Sequence, residues 1–143
     1  APATAPRGGV SCAMLRAALR VTSHDDVLRL ETWSAASRAV GYSASAFLVD
    51  GVLVDTGIPA AGAALARFLA GRREGGTPVR GAVVTHAHED HAGNVELLAR
   101  AGVPLAMGAA TLAAVRTRES IGFYRRVTWR PMRPLATPHA PFD

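Results

Sequence analysis

The segment Gly81-Ala-Val-Val-Thr85-His86-Ala-His88-Glu-Asp90-His91 joins an apolar run to a dense group of metal-ligand side chains. Val83 and Val84 are β-branched and glycines bound the run upstream, so it reads as a buried strand. Directly after it, six residues carry three imidazoles and two carboxylates. Imidazole nitrogen and carboxylate oxygen are the ligands a borderline cation such as zinc prefers, and a catalytic site leaves one position open for water. His86 and His88 stand two apart, so an extended or tightly turning backbone can aim both at one ion. Asp90 and His91 follow where the chain should turn into a helix, and can face a second ion.

Upstream, Leu48-Val-Asp-Gly-Val-Leu-Val-Asp-Thr-Gly57 reads as two short strands joined by Asp50-Gly51, a dipeptide suited to a two-residue hairpin turn. Together with His-x-His-x-Asp-His after a strand, this pattern resembles the metallo-β-lactamase superfamily of hydrolases over about residues 43 to 110. The resemblance implies an α/β (α+β) fold, the N-terminal βα half of a metallo-β-lactamase-like αββα sandwich, truncated before the second half. It implies zinc as cofactor, two ions in the complete fold, with His86 and His88 on the first and Asp90 and His91 on the second. Asp90 would also orient, or accept a proton from, the attacking water. Asp55 would support a metal-ligating histidine from behind; as a residue in a turn it can equally cap the helix that follows, and the two roles are compatible.

The family's site also draws on its second half for a third histidine, a bridging carboxylate and a final histidine. His139, 48 residues after His91, has a plausible separation for the third ligand. Its setting Thr137-Pro-His-Ala-Pro141 lacks the family's Gly-His pairing and also suits a plain loop residue. Asp143 is a weaker candidate for the bridging carboxylate. Either the sequence is the N-terminal portion of a longer hydrolase, or it is a short metal-binding domain completed by a partner chain.

Composition bounds these readings. The 143 residues are 49% hydrophobic and 19% charged, which suits one soluble globular domain with a modest core. No apolar run approaches a membrane span. All sixteen basic residues are arginine and the net charge is +5, but the charge is spread along the chain. That supports general anion attraction rather than a nucleic-acid groove. Cys12 is the only cysteine, so no intrachain disulfide forms and an inert thiol is expected.

Three regions follow: a partly flexible leader over 1–22, a metallo-β-lactamase-like domain over 23–115, and an Arg/Pro-rich connector over 116–143. In the leader, Ser11 to Arg20 has helix-like apolar spacing. Alternation over Val27 to Trp33 predicts a strand with Leu28 and Leu30 inward. Pro59 opens a helix through Ala70, with Ala61, Leu65, Phe68 and Leu69 buried, Gly71 as its stop and Arg72 to Gly76 as an exposed loop. Gly93-Asn94 allows close backbone approach before a helix from Val95 to Arg100; a strand over 104–107 and a helix over 111–115 complete the alternation. Between Arg116 and Arg133 six arginines interleave with Phe123, Tyr124 and Trp129. Such a stretch can line a cleft or stack nucleobases, but a solvated, partly ordered connector is the preferred reading.

Two function classes remain. One is a zinc-dependent hydrolase of an ester, thioester, lactone or β-lactam, with a nucleic-acid phosphodiester less favoured; the other is a non-catalytic metal-binding or interaction module. The expected partners are a small-molecule substrate and, through an uncovered sheet face, a second copy of the chain. No nucleic acid or membrane partner is expected, and the expected compartment is the cytoplasm.

Overall fold

The computed structural model describes residues 18–117 and 120–139. Six strands form one sheet in sequence order: β1 (Ala18–His24), β2 (Val27–Trp33), β3 (Ala44–Val49), β4 (Val52–Val54), β5 (Gly81–Val84) and β6 (Leu105–Met107). The first three pairings are antiparallel and the last two parallel. Parallel neighbours need a crossover. Between β4 and β5 it contains a 3-10 turn (Pro59–Ala61) and α2 (Gly62–Glu74); between β5 and β6 it contains α3 (Glu89–Ala92) and α4 (Val95–Arg100). Short helices α1 (Ala35–Ala39), α5 (Ala109–Arg116) and α6 (Phe123–Thr128) complete the described chain.

Register explains which face is covered. Leu28, Leu48, Leu53, Ala82 and Leu105 are successive partners across the sheet, so their side chains form one row on one face. Leu65 of α2 and Val95 and Leu98 of α4 join Leu48, Leu53 and Leu105 in the same buried cluster. The neighbouring row, Arg29, Phe47, Val54, Val83 and Ala106, points the other way, and Phe47 there is 39% exposed. Among the described residues no helix is long and apolar enough to cross a membrane.

The Asp50-Gly51 hairpin is as expected: both residues have positive φ, 45° and 76°, the backbone that a tight turn with left-handed central residues requires. Leu30 is fully buried and Leu28 partly so, as read from alternation. Three expectations need correction. The helix read over Ser11 to Arg20 fails where it can be seen: Ala18, Leu19 and Arg20 are strand, paired with Trp33, Thr32 and Glu31, and the rest of that segment lies outside the described residues. Cross-strand pairing closed by the Asp25-Asp26 turn overrides a helical spacing that is only local. Gly71 does not stop α2, which continues to Glu74 and ends at Gly75, so Arg72 to Glu74 are helical. One exposed helical glycine costs only about 1 kcal/mol, less than the packing of Leu65, Phe68 and Leu69 returns.

The third correction concerns the Arg/Pro-rich stretch. Residues 123–128 form α6, which packs on α1. The Ser34 hydroxyl, the N-cap of α1, donates to the Thr128 carbonyl at 2.6 Å, and Thr128 is buried. Proline punctuation and charge concealed a docked helix.

Candidate metal centre

The site is built where β4 and β5 end side by side. Asp55 leaves β4 with φ of 63°, and its N–H donates to the Val83 carbonyl of β5 at 2.8 Å. That backbone turns the carboxylate back across the sheet end. Its Oδ1 accepts from the Thr85 N–H at 2.8 Å and from the Thr85 hydroxyl at 2.9 Å, and its Oδ2 lies 2.7 Å from His91 Nδ1. The alternative role as a helix cap is not the one seen: the 3-10 turn begins after Ile58 with no side-chain cap bond.

A second set of bonds fixes the histidine loop to the Asp-Thr-Gly loop. The Thr56 N–H and hydroxyl both donate to the His91 carbonyl, at 2.7 and 2.9 Å. Asn94 donates its N–H to the Thr56 hydroxyl oxygen at 2.9 Å, and its side-chain amide donates to the carbonyls of Thr56 and Ile58 at 2.8 and 2.9 Å. The close approach expected at Gly93-Asn94 occurs, and its partner is this loop: a Cβ on Gly93 would fall 2.5 Å from both Gly57 O and Pro59 Cδ, and nearer still to Glu89 O. Buried and fully bonded, this network fixes the backbone that carries His91.

On that frame His86, Asp90 and His91 converge, each offering a ligand atom, with all three atoms within 4.8 Å of one another. The His86 and His91 rings are 4.0 Å apart between centroids, and Asp90 Oδ2 is 3.5 Å from His91 Nε2. Burial first, then the neighbouring His91 and His88 rings, hold the His86 pKa below its ordinary value, against the opposing pull of Asp55 and Asp90. The neutral ring is the form that binds a metal. With Nδ1 of His91 held by Asp55, its Nε2 faces the cluster, the arrangement in which a carboxylate fixes tautomer and raises basicity. Mixed nitrogen and oxygen donors with such backing fit zinc or a similar cation.

The sequence-derived residues are therefore not all brought together. His88 is exposed, its ring edge-on to His86 with centroids 4.8 Å apart, and it is not part of the three-residue cluster. His139 is half-buried and also outside it. Asp143 and Cys12 lie outside the described residues.

Sequence reasoning missed Glu89 and Glu96. Glu89, inside the histidine motif, is 4% exposed and accepts from Arg125 Nε of α6 at 2.9 Å. A charged residue between two ligand positions reads as loop surface, and only α6, 36 residues on, shows otherwise. Glu96, also 4% exposed, accepts from the N–H groups of Ala136 and Thr137, both at 3.0 Å, and from the Thr137 hydroxyl and Arg100. Burial raises its pKa, but the Thr137 N–H and the other three donors outweigh it and bring it to about 2. A cavity of about 770 Å³ opens beside His86 and His88, with Arg125 and Arg126 on its α6 side.

The sequence profile of the Metallo-beta-lactamase superfamily matches residues 39–142, and the chain belongs to that superfamily. Among solved structures it is similar to the FIM-1 metallo-β-lactamase from Pseudomonas aeruginosa in its mono-zinc form, with 19% identity and a TM-score of 0.63 over 90% of this chain and 52% of that one. The DIM-1 metallo-β-lactamase gives 20% identity and 0.56 over 68% of this chain and 45% of that one. A metallo-β-lactamase from Pontibacter korlensis gives 25% and 0.52 over 66% and 46%. These likenesses are of fold, and the chain spans about half the length of the structures it matches. Comparison with curated protein sequences found no match.

Proposed function

We propose that this chain carries the metal-binding part of a zinc-dependent hydrolase acting on an ester, thioester, lactone or β-lactam. The observation that supports the reading is the convergence of His86, Asp90 and His91 at one sheet end with Asp55 behind His91. These three would hold one zinc, matching the three protein ligands of a catalytic site. His88, beside His86, would serve a second ion, with His139 as a further ligand in the complete fold. Zinc bound there supplies a water of near-neutral pKa and stabilises charge developing on the attacked carbonyl oxygen.

The chain's own residues do the rest. Asp55, itself held by Thr85, keeps the His91 ring in one orientation with Nε2 turned to the cluster. The Thr56 and Asn94 bonds hold the His91 backbone, so the ligands need little reorganisation. Asp90, partly exposed, orients the attacking water and takes up its proton. The cavity beside His86 and His88 admits the substrate.

The test is hydrolysis of a panel of thioesters, lactones, β-lactams and phosphodiesters by the chain and its Asp90→Asn variant, with and without chelator. We expect at most slow turnover of one carbonyl class by this chain, which brings together a single three-residue ligand group among the described residues, abolished by chelation and reduced further in the variant. Undiminished, chelator-resistant activity would reject the reading. Metal binding without turnover on any substrate would favour a non-catalytic metal-binding module.

A further inference from the structure

The carboxylate of Glu89 lies inside the histidine motif on a side chain only 5% exposed, and among the described residues Arg125 is its one partner. Arg125 donates to Oε2 from Nε at 2.9 Å and also from Nη2. A carboxylate so buried is costly without its counter-charge, so the pair behaves as one unit. Its two ends belong to distant parts of the chain. Glu89 opens the one-turn helix α3, whose next two residues are Asp90 and His91. Arg125 belongs to α6, which is held from elsewhere: the Ser34 hydroxyl donates to Thr128 O at 2.6 Å, and Trp129 packs on Ala44, Ile58 and Ala61.

The three clustered metal-ligand groups are not equally supported. His91 has Asp55 at its Nδ1 and Thr56 on its carbonyl, and His86 Nδ1 lies 3.0 Å from the Thr85 hydroxyl. Asp90 lacks such backing: among the described residues its carboxylate meets one polar partner, His91 Nε2 at 3.5 Å, itself a member of the cluster. Asp90 is therefore placed by its backbone, and the residue that anchors that backbone is Glu89.

We propose that the Glu89–Arg125 pair places Asp90, so that helix α6 governs metal affinity through a contact that touches no ligand atom. The inference rests on the metal-binding reading above and deepens it. With two donors on one carboxylate oxygen, the guanidinium fixes the first residue of α3 against α6, and the turn that follows delivers Asp90 to the cluster. Helix α3 has four residues and its N-cap, His88, makes no side-chain cap bond, so it has few bonds of its own to hold it. Without the guanidinium the orphaned carboxylate turns toward water and takes the start of α3 with it. Linkage is reciprocal, so a metal that draws Asp90 in also tightens the hold of α3 on α6. Glu89 and Arg125 are on this account positioning residues, and neither belongs to the three-residue cluster.

Calorimetric titration of zinc into the chelator-stripped full chain, arranged as a double-mutant cycle, tests this without any turnover. Arg125→Met should weaken zinc binding about tenfold, on the scale of lost support behind a metal ligand. Arg125→Lys keeps the charge but not the two-donor grip, and should lose less. In an Asp90→Ala background the group being placed is gone, so Arg125→Met should change zinc affinity there by no more than about twofold. A purely structural role would weaken zinc equally in both backgrounds. Circular dichroism checks each fold; if Arg125→Met does not fold, the same comparison is made with Arg125→Lys, in which Glu89 keeps a counter-charge. Unchanged affinity in the arginine variant, or an equal loss with and without Asp90, would overturn this proposal and leave the metal centre standing. A wild-type chain that binds no zinc would overturn the metal-binding reading, and this inference with it.

Discussion

Glu96→Gln should cost stability at neutral pH and almost none in acid. The carboxylate lies beneath the tail and receives four hydrogen bonds, from Ala136 N–H, Thr137 N–H, the Thr137 hydroxyl and Arg100 Nε. Glutamine keeps one oxygen but turns an NH₂ group against a set made only of donors, so at least one of these part-buried donors loses its partner. A carboxyl moved from 4.5 to about 2 corresponds by linkage to about 3 kcal/mol. Arg100 stands 64% exposed and its share is screened by water, so we take about 2 kcal/mol.

The sign follows from a folded pKa below the unfolded one. The stabilisation is complete above about pH 5 and fades as pH falls toward about 2, when the wild-type carboxyl takes up its proton. Urea unfolding followed by circular dichroism, at pH steps from about 7 down to about 3, gives the difference between wild type and variant. It should shrink steadily below about pH 5. A difference independent of pH, or none at neutral pH, would refute the reasoning.

Gly93→Ala should be far more damaging than a usual surface change, about 3 kcal/mol or more, because the new Cβ meets backbone at Gly57 and Glu89 as well as the Pro59 ring. The melting temperature should drop by roughly 10 °C, and an unchanged melt would show that the loops can part. Asp55→Asn should leave the chain folded but weaken zinc binding about tenfold to a hundredfold, measured by competition with a chromophoric chelator, since His91 loses the group that orients it. Unaltered affinity would mean that His91 is positioned by its backbone bonds alone.

Legibility in the sequence followed the range of the interactions. The Asp50-Gly51 hairpin and the buried strand before His86 are set by neighbouring residues, and both were readable. His86, Asp90 and His91 were legible because a strand end and a helix start fix them within six residues. Strand β1 was hidden because its conformation is dictated by pairing with β2, which outweighs the helical spacing of its own residues. Helix α6 was hidden because its anchors, Ser34 and Glu89, lie 94 and 36 residues from their partners. Thr56 with Asn94, and Glu96 with Thr137, are long-range bonds of the same kind. The separate standing of His88 depends on the turn after β5, which spacing alone does not specify.

Zinc stoichiometry bears most directly on the metal centre. The untagged chain, dialysed against zinc and measured by elemental analysis, is compared with its His86→Ala/His91→Ala variant after both are shown folded by circular dichroism. The convergence of His86, Asp90 and His91 predicts at least one tightly held zinc per wild-type chain and its loss in the variant. Equal zinc in the two proteins, or none in either, would contradict it.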